Sequence, residues 1–415
     1  MQKNELSNKT LLYIFLTVVT GIAYFTVFAH RFVPAVVAVD IGRDLGAGAA
    51  MLGMMSSGYF YMYGLAQMPY GVLVDTVGPR KIMTLSFIIA GIGGTLFALA
   101  PSPMWSFIAR LILGLGCAAP LVAAMTLLAR WIPKNKFPTY LTVLYVIGGF
   151  GPLAAASPLA WLSSNIGWRY ACLSIAIFTF VYAAVLFAVI RDNPPEAIEE
   201  KKVSEKKGMF AGVKTVASSL HFWLIVIFGA GVPSIYLIYC GLWAGPFMTD
   251  VYGFDKQTVG NVLSFGAIGS VLGFFLGPLF SDKILKSRKK VMILFSGLLL
   301  VCLLPFILQI KLSFYLLCIQ VLLIGIFSCG SQPVAVMAVK DMFPISITGT
   351  ALGMFNTFPL LCGGLLQLFI GIVLSAVMDG ADKASEGMYA AAFSVMLAVC
   401  GAGMIAVIFI SNKKG

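Results

Sequence analysis

Twelve apolar runs, each about 20 residues or longer, dominate the chain: roughly 11–38, 50–73, 82–100, 104–129, 139–162, 170–190, 221–247, 258–280, 291–310, 314–338, 349–376 and 389–410. A helix rises ~1.5 Å per residue, so ~20 such residues cross the ~30 Å hydrocarbon core of a bilayer. Inside that core every backbone N–H and C=O must find its partner within the protein, which leaves only helices and closed barrels. Runs of this length are too long and continuous for barrel strands of ~9–11 residues. Composition agrees: 11% of the residues are charged, against roughly 25% in a soluble domain. The expected fold is all-α and integral to the membrane, with twelve transmembrane helices.

One connection differs from the rest. Between spans six and seven the chain reads RDNPPEAIEEKKVSEKK, polar and charged, whereas the other connections are short. This divides the chain into an N-terminal six-helix bundle over 1–192, a cytoplasmic linker over 193–220 and a C-terminal six-helix bundle over 221–415. With a cytoplasmic N-terminus, 21 of the 28 Lys and Arg fall in cytoplasmic segments and 5 in outside loops, leaving Arg31 and Arg110 within spans. That bias places both termini in the cytoplasm and the protein in the cell inner membrane. The start, MQKNELSNK, enters span one without a small-residue cleavage site, so no cleaved signal is expected.

The net charge of +12 does not point to nucleic acid, because no stretch outside the spans interleaves basic and aromatic residues. The eight cysteines lie in apolar runs with no CxxC pair and read as small core residues, not as a disulfide or metal framework. There is no HExxH, GxSxG or Walker loop, which argues against an enzyme or an ATP-driven pump. No cofactor or metal is implied.

The two halves echo each other. GVLVDTVGPRK (71–81) follows span two, and GPLFSDKILKSRKK (277–290) follows span eight. Each has Gly, then Asp at the membrane exit, then a basic cluster. Two such repeats mark a rocking transporter with its site between the halves. Here the chain resembles the major facilitator superfamily over essentially its whole length. Gly71, Asp75, Gly78, Arg80 and Lys81 are similar to that family's loop signature. RLILGLGCAA (110–119) is similar to its helix-four pattern, and IGGFGPLAAASP (147–158) matches its antiporter signature in part. The resemblance implies a gate at the cytoplasmic rim made by Asp75, Arg80 and Arg130, with Asp282 and Arg288 in the second copy. AHRFVPAVV and YFYMYGLAQMPYGVLVD resemble helices one and two of the organic anion branches, the anion:cation symporters and organophosphate exchangers. In those a helix-one arginine holds the anion, and Arg31 is the matching position. Helix seven has no arginine here, which favours carboxylates over phosphorylated substrates.

The charges inside the spans carry the functional reading. A cation at mid-bilayer costs about 2.5–3.5 kcal/mol even on the lenient insertion scale. Arg31 could snorkel outward, or pair with Asp40, nine residues and ~13 Å further along the helix. None of the 16 acids lies deep in a span, so a guanidinium facing a cavity suits an anionic guest. Tyr24 and Phe28 share its face. On span two Tyr59, Tyr63, Gln67 and Tyr70 share a face, and on span seven Tyr236, Tyr239 and Trp243 do. Asn356 is the polar group of span eleven favoured for the site, ahead of Asn261, Gln332 and Gln367, each of which also reads as helix–helix glue. His30 is a candidate for proton coupling although it points ~100° away from Arg31, and Arg110 has a structural or coupling role. The expected function is a proton-coupled carrier of a small organic anion by alternating access, working as a monomer. A drug or metabolite efflux antiporter is the alternative.

Overall fold

The computed structural model describes residues 2–133, 135–194, 212–378, 381 and 383–410. Most of the expected linker, 195–211, lies outside them, as do Lys134, Asp379, Asp382, Lys413 and Lys414. Twelve long helices follow in order. They are α1 (Gln2–Leu45), α2 (Ala49–Val77), α3 (Pro79–Ala98), α4 (Pro103–Trp131), α5 (Thr139–Ile166) and α6 (Trp168–Val189). The second half has α7 (Leu220–Tyr252), α8 (Lys256–Ile284), α9 (Arg288–Ile307), α10 (Phe314–Met342), α11 (Ile345–Met378) and α12 (Glu386–Ile408). Eleven are long and apolar enough to cross a membrane. The remaining one, α2, is 29 residues long like α4, but its tyrosines, Gln67 and Asp75 dilute its hydropathy.

Helices overrun the apolar runs. The run of span one ends at about residue 38, yet α1 continues through Asp40, Arg43 and Asp44 to Leu45. An apolar run measures bilayer thickness, whereas backbone hydrogen bonding continues beyond it into the polar phase. Two spans that read as continuous are broken at prolines, which lack the N–H a helix interior needs. The span of α5 is built from separate pieces, Phe137–Gly149 (which begins two residues before it), Gly151–Ala154 and Ser157–Ile166, around Pro152 and Pro158. In α7, Leu220–Gly231 stops before Pro233, and a π turn at Tyr239–Trp243 precedes Pro246.

Packing repeats between the halves. The pairs α2–α4, α3–α4, α3–α6 and α1–α5 have counterparts in α8–α10, α9–α10, α9–α12 and α7–α11. The halves meet mainly through α2 on α11 and through α5 on α8, which are equivalent pairs. Small residues let these backbones approach: Gly53 lies against Gln367, Gly364 against Phe60 and Ser57, and Gly64 against Leu361 and Thr357. These contacts lie toward the end that carries the α1–α2 and α7–α8 connections. Two turns past Gly64, on the same face, Gly71 has no atom within 4 Å of where a Cβ would stand, and neither does Gly353, one turn before Thr357. The bundle is therefore closed at the α1–α2 end and splayed at the α2–α3 end.

Candidate functional site

Arg31 lies about two-thirds of the way along α1 and is 5% exposed. Its guanidinium carbon stands 4.6 Å from the Phe28 ring centre, 4.7 Å from Tyr63 and 5.7 Å from Tyr59. The hydroxyls of Tyr59, Tyr63 and Tyr24 are the polar groups around it. Nε has no hydrogen-bond partner, and among the described residues no carboxylate pairs with it. The group neither snorkels nor pairs with Asp40. Asp40 instead meets Lys256 of α8 at 2.5 Å, with its Oδ2 off the line of a directional hydrogen bond. From the second half, Cys329 on α10 lies within electrostatic reach of Arg31.

The aromatic face of α1 and α2 gathers as helical spacing requires. Tyr24 packs on Phe28 at 4.8 Å, and Tyr59 stacks on Tyr63 at 5.7 Å. Tyr145 of α5, which the sequence did not single out, stands 5.8 Å from Tyr24. Its one signal was a phenol six residues before the Phe150–Gly151 break. The Tyr59 hydroxyl is already committed, donating to the Val27 carbonyl at 3.2 Å. Gln67 donates to the Ala118 carbonyl at 3.3 Å, tying α2 to α4.

His30 and Arg110 face away from these rings, into the first half, where both line a small cavity with Val33, Gly94, Phe97 and Cys172. Arg110 is fully buried and donates from Nη1 to the His30 carbonyl at 2.9 Å. Its guanidinium lies 4.7 Å from the opposite neighbour, the Tyr59 ring, while Nε and Nη2 are unpartnered. The His30 ring reaches Thr179 of α6, with Nε2 2.8 Å from the hydroxyl oxygen. That hydroxyl spends its single proton on the Ile175 carbonyl, so Nε2–H must donate, which fixes the tautomer.

The α7 residues part company. Tyr236 faces the interface, its ring 5.1 Å from Phe32 of α1. Tyr239 does not join it. Its ring packs among Phe247, Phe306 and Phe393 inside the second half, and Trp243 turns to α11, donating to the Gln367 carbonyl at 3.2 Å. The π turn over Tyr239–Trp243 breaks the 3.6-residue period between Tyr239 and Trp243. Asn356 is half-buried on α11, one turn beyond Leu352, and makes no hydrogen bond among the described residues. Asn261 belongs to the α5–α8 seam, accepting from Ser157 at 2.8 Å, and Gln367 donates to the Leu237 carbonyl at 2.7 Å.

At the splayed end, Asp75 and Asp282 are exposed and form no ion pair among the described residues. The acid that organises this rim is Asp192, at the end of α6. It accepts the Arg80 backbone N–H at 2.7 Å, at the start of α3. Arg80 itself donates to the Phe187 carbonyl at 2.8 Å. Arg130 reaches the Asn193 side chain at 3.5 Å, and Arg288 pairs with Asp341 at 2.6 Å. Each of these basic groups is thus held within its own half.

The family model described as Major Facilitator Superfamily matches residues 16–359 and 238–414. The probable galactarate/D-glucarate transporter GarP of Escherichia coli strain K12 is 24% identical over 411 residues, 90% of each chain. The gentisate transporter of Corynebacterium glutamicum is 27% identical over 361 residues, 82% of this chain and 78% of that one. Among solved structures, a D-xylose-proton symporter superposes with a TM-score of 0.74 at 16% identity, covering 96% of this chain and 98% of its own.

Proposed function

The chain belongs to the Major Facilitator Superfamily, and from that premise we propose that it carries a small organic anion, held by Arg31, by alternating access between its two halves. It is a multi-pass membrane transporter and not an enzyme. The observation that carries the anion reading is the Arg31 guanidinium: 5% exposed, ringed by phenols and Phe28, and without a carboxylate partner among the described residues. A buried charge without a counter-charge is costly unless a partner arrives, and an anionic cargo supplies one through charge-assisted hydrogen bonds. The names of the relatives, which include carriers of galactarate, glucarate and gentisate, support the same class.

In this reading Tyr24 and Tyr63 shape the first half of the site, and Tyr236 and Asn356 the second. The 21-to-5 distribution of basic residues sets both termini in the cytoplasm, so the splayed end faces inward. Asp75, Arg80, Arg130, Asp282 and Arg288 then close that end in the opposite conformer, where the halves meet there. Protons are the proposed coupling ion, with His30 and Arg110 linking the back of the site to α6. The rival, an efflux antiporter, draws on one observation: Gly148 and Gly151 of the partial antiporter signature pack directly on Tyr24 and Phe28.

Purified protein in proteoliposomes tests this. Counterflow of labelled carboxylates is expected for the parent, with net uptake when the outside is made acidic. Arg31→Ala should fold, as judged by an unchanged elution profile, and lose exchange by roughly a hundredfold or more, the scale of removing one charged partner from a buried pair. Exchange at the parental rate by Arg31→Ala would end the site assignment. Net movement only against an inward proton gradient would favour the antiporter.

A further inference from the structure

Of the 28 Lys and Arg, only Arg31 and Arg110 fall within the apolar runs. Arg110 does not serve a guest held by Arg31. It is fully buried in the first half and donates to the His30 carbonyl. The cavity it lines is bounded by first-half residues, His30, Phe97 and Cys172 among them, and by none of Tyr24, Phe28, Tyr59 and Tyr63. Basic groups at the outer ends of the helices are engaged as well: Lys256 by Asp40 and Ser163, and Arg169 by the Ala98 and Ala100 carbonyls. Among the described residues, Arg31 is thus the one cation within the spans left to meet a cargo.

The other groups around Arg31 are polar but uncharged. Tyr24, Tyr59 and Tyr63 present phenols, Gln67 lies within hydrogen-bonding reach of the Tyr63 hydroxyl, and Tyr145 stands beside Tyr24. Phenols and amides satisfy hydroxyls, carbonyls and the lone pairs of a carboxylate, but they offset no charge. A guest with one ionised group leaves site and cargo neutral together. A second carboxylate would leave water with no counter-charge to meet it, which is the costly case. We infer that the cargo binds as a monoanion, with one ionised group on Arg31 and every other polar group uncharged; a dicarboxylate is admitted only with its second carboxyl protonated. The inference rests on the organic-anion reading above and narrows it. It also sets this chain apart from the relative named for galactarate and D-glucarate, both of which are dicarboxylates.

The test is counterflow into proteoliposomes of the full-length protein, with acids paired so that each pair shares a skeleton and differs by one charge. The pairs are D-gluconate with D-glucarate, succinamate with succinate, and 4-carbamoylbenzoate with terephthalate, each labelled acid exchanged against itself. Near neutral pH the carboxyl groups are ionised. In every pair that exchanges, the monocarboxylate is expected to half-saturate at a concentration roughly tenfold or more below its partner. Lowering the pH equally on both sides to about 5 begins to protonate the second carboxyl, and the ratio within a pair should shrink by roughly threefold or more. Taking the ratio cancels any pH dependence of the carrier itself. A dicarboxylate that half-saturates as low as its partner near neutral pH, exchange confined to dicarboxylates, or a ratio unmoved by acid overturns the monoanion assignment. If Arg31→Ala abolishes the exchange seen in those cases, the organic-anion site still stands. Absence of exchange with every acid by the parent, or exchange that survives Arg31→Ala, overturns both.

Discussion

Two guanidiniums share one phenol. Tyr59 is fully buried, with Arg31 5.7 Å and Arg110 4.7 Å from its ring centre. Its hydroxyl ties α2 to the Val27 carbonyl of α1. Ring and hydroxyl therefore do separable work. Tyr59→Phe keeps both cation–π contacts and forfeits one hydrogen bond, an expected loss of about 1 kcal/mol. Tyr59→Leu also withdraws the ring from two desolvated cations, each contact worth up to about 2 kcal/mol, and leaves a cavity. Thermal unfolding in detergent should rank parent, Phe and Leu in that order, with the larger step at Leu. Equal losses would show that the ring contributes nothing to holding the cations. At this scale the sequence was informative where a residue violated its surroundings: Arg31 stood out because a permanent charge in an apolar run needs a reason. It was silent on partners. Asp40 was the one acid near Arg31 along the chain, yet it is taken by Lys256, more than 200 positions later, a contact set only by how the halves close.

Elements were legible as lengths and less so as shapes. The apolar runs located every helix, because bilayer thickness is written into each of them. The breaks in α5 and α7 were not read, although Pro152, Pro158 and Pro233 stand at them. The π turn at Tyr239–Trp243 had no local mark, and the ~60° between positions i and i+3 of a helix was enough to send Tyr236 to the interface and Tyr239 into the second half. The α2–α3 corner shows a turn whose chemistry was half visible. Gly78 has φ 106°, a region that side chains rarely adopt, and a Cβ there would meet the Asp192 carboxylate at 2.6 Å. Glycine is required on both counts, but only the tertiary fold reveals the second, since Asp192 arrives from the end of α6 to cap α3 at Arg80. Gly78→Ala is expected to cost about 1–3 kcal/mol, read as a lowered unfolding temperature. Adding Asp192→Ala should not return the parental value. It relieves the clash, but the backbone strain stays and the cap is lost. Full recovery in the double variant would mean that the clash was the whole penalty.

For the molecule as a whole, the conformational equilibrium is set by what seals one end while the other is splayed. The seal is largely apolar along α2 and α11, where glycines meet backbone. Along α5 and α8 it is polar: Ser157 binds Asn261 and Gln257, each at 2.8 Å, and Lys256 binds Ser163 at 3.1 Å. Lys256–Asp40 is the one ion pair among the described residues that joins the two halves. Both side chains are about one-fifth exposed, at 21% and 20%, so water screens the pair and its contribution is of order 1 kcal/mol. That is small against the fold but not against a two-state balance, where about 1 kcal/mol moves the population ratio roughly fivefold. Lys256→Met should therefore shift the molecule toward opening at the α1–α2 end. Spin labels on Arg43→Cys and Lys311→Cys would report it as a longer distance component grown by roughly fivefold in ratio. Labelling is feasible because seven of the eight native cysteines are buried, leaving Cys362 to be replaced by Ser. Exchanging the charges, with Asp40→Lys and Lys256→Asp together, should return the distribution toward that of the parent. A lysine at 40 beside the unchanged Lys256 should open it further by like-charge repulsion. If all three variants leave the distances unmoved, the seal is held by the glycine seams alone, and the ion pair is incidental to transport.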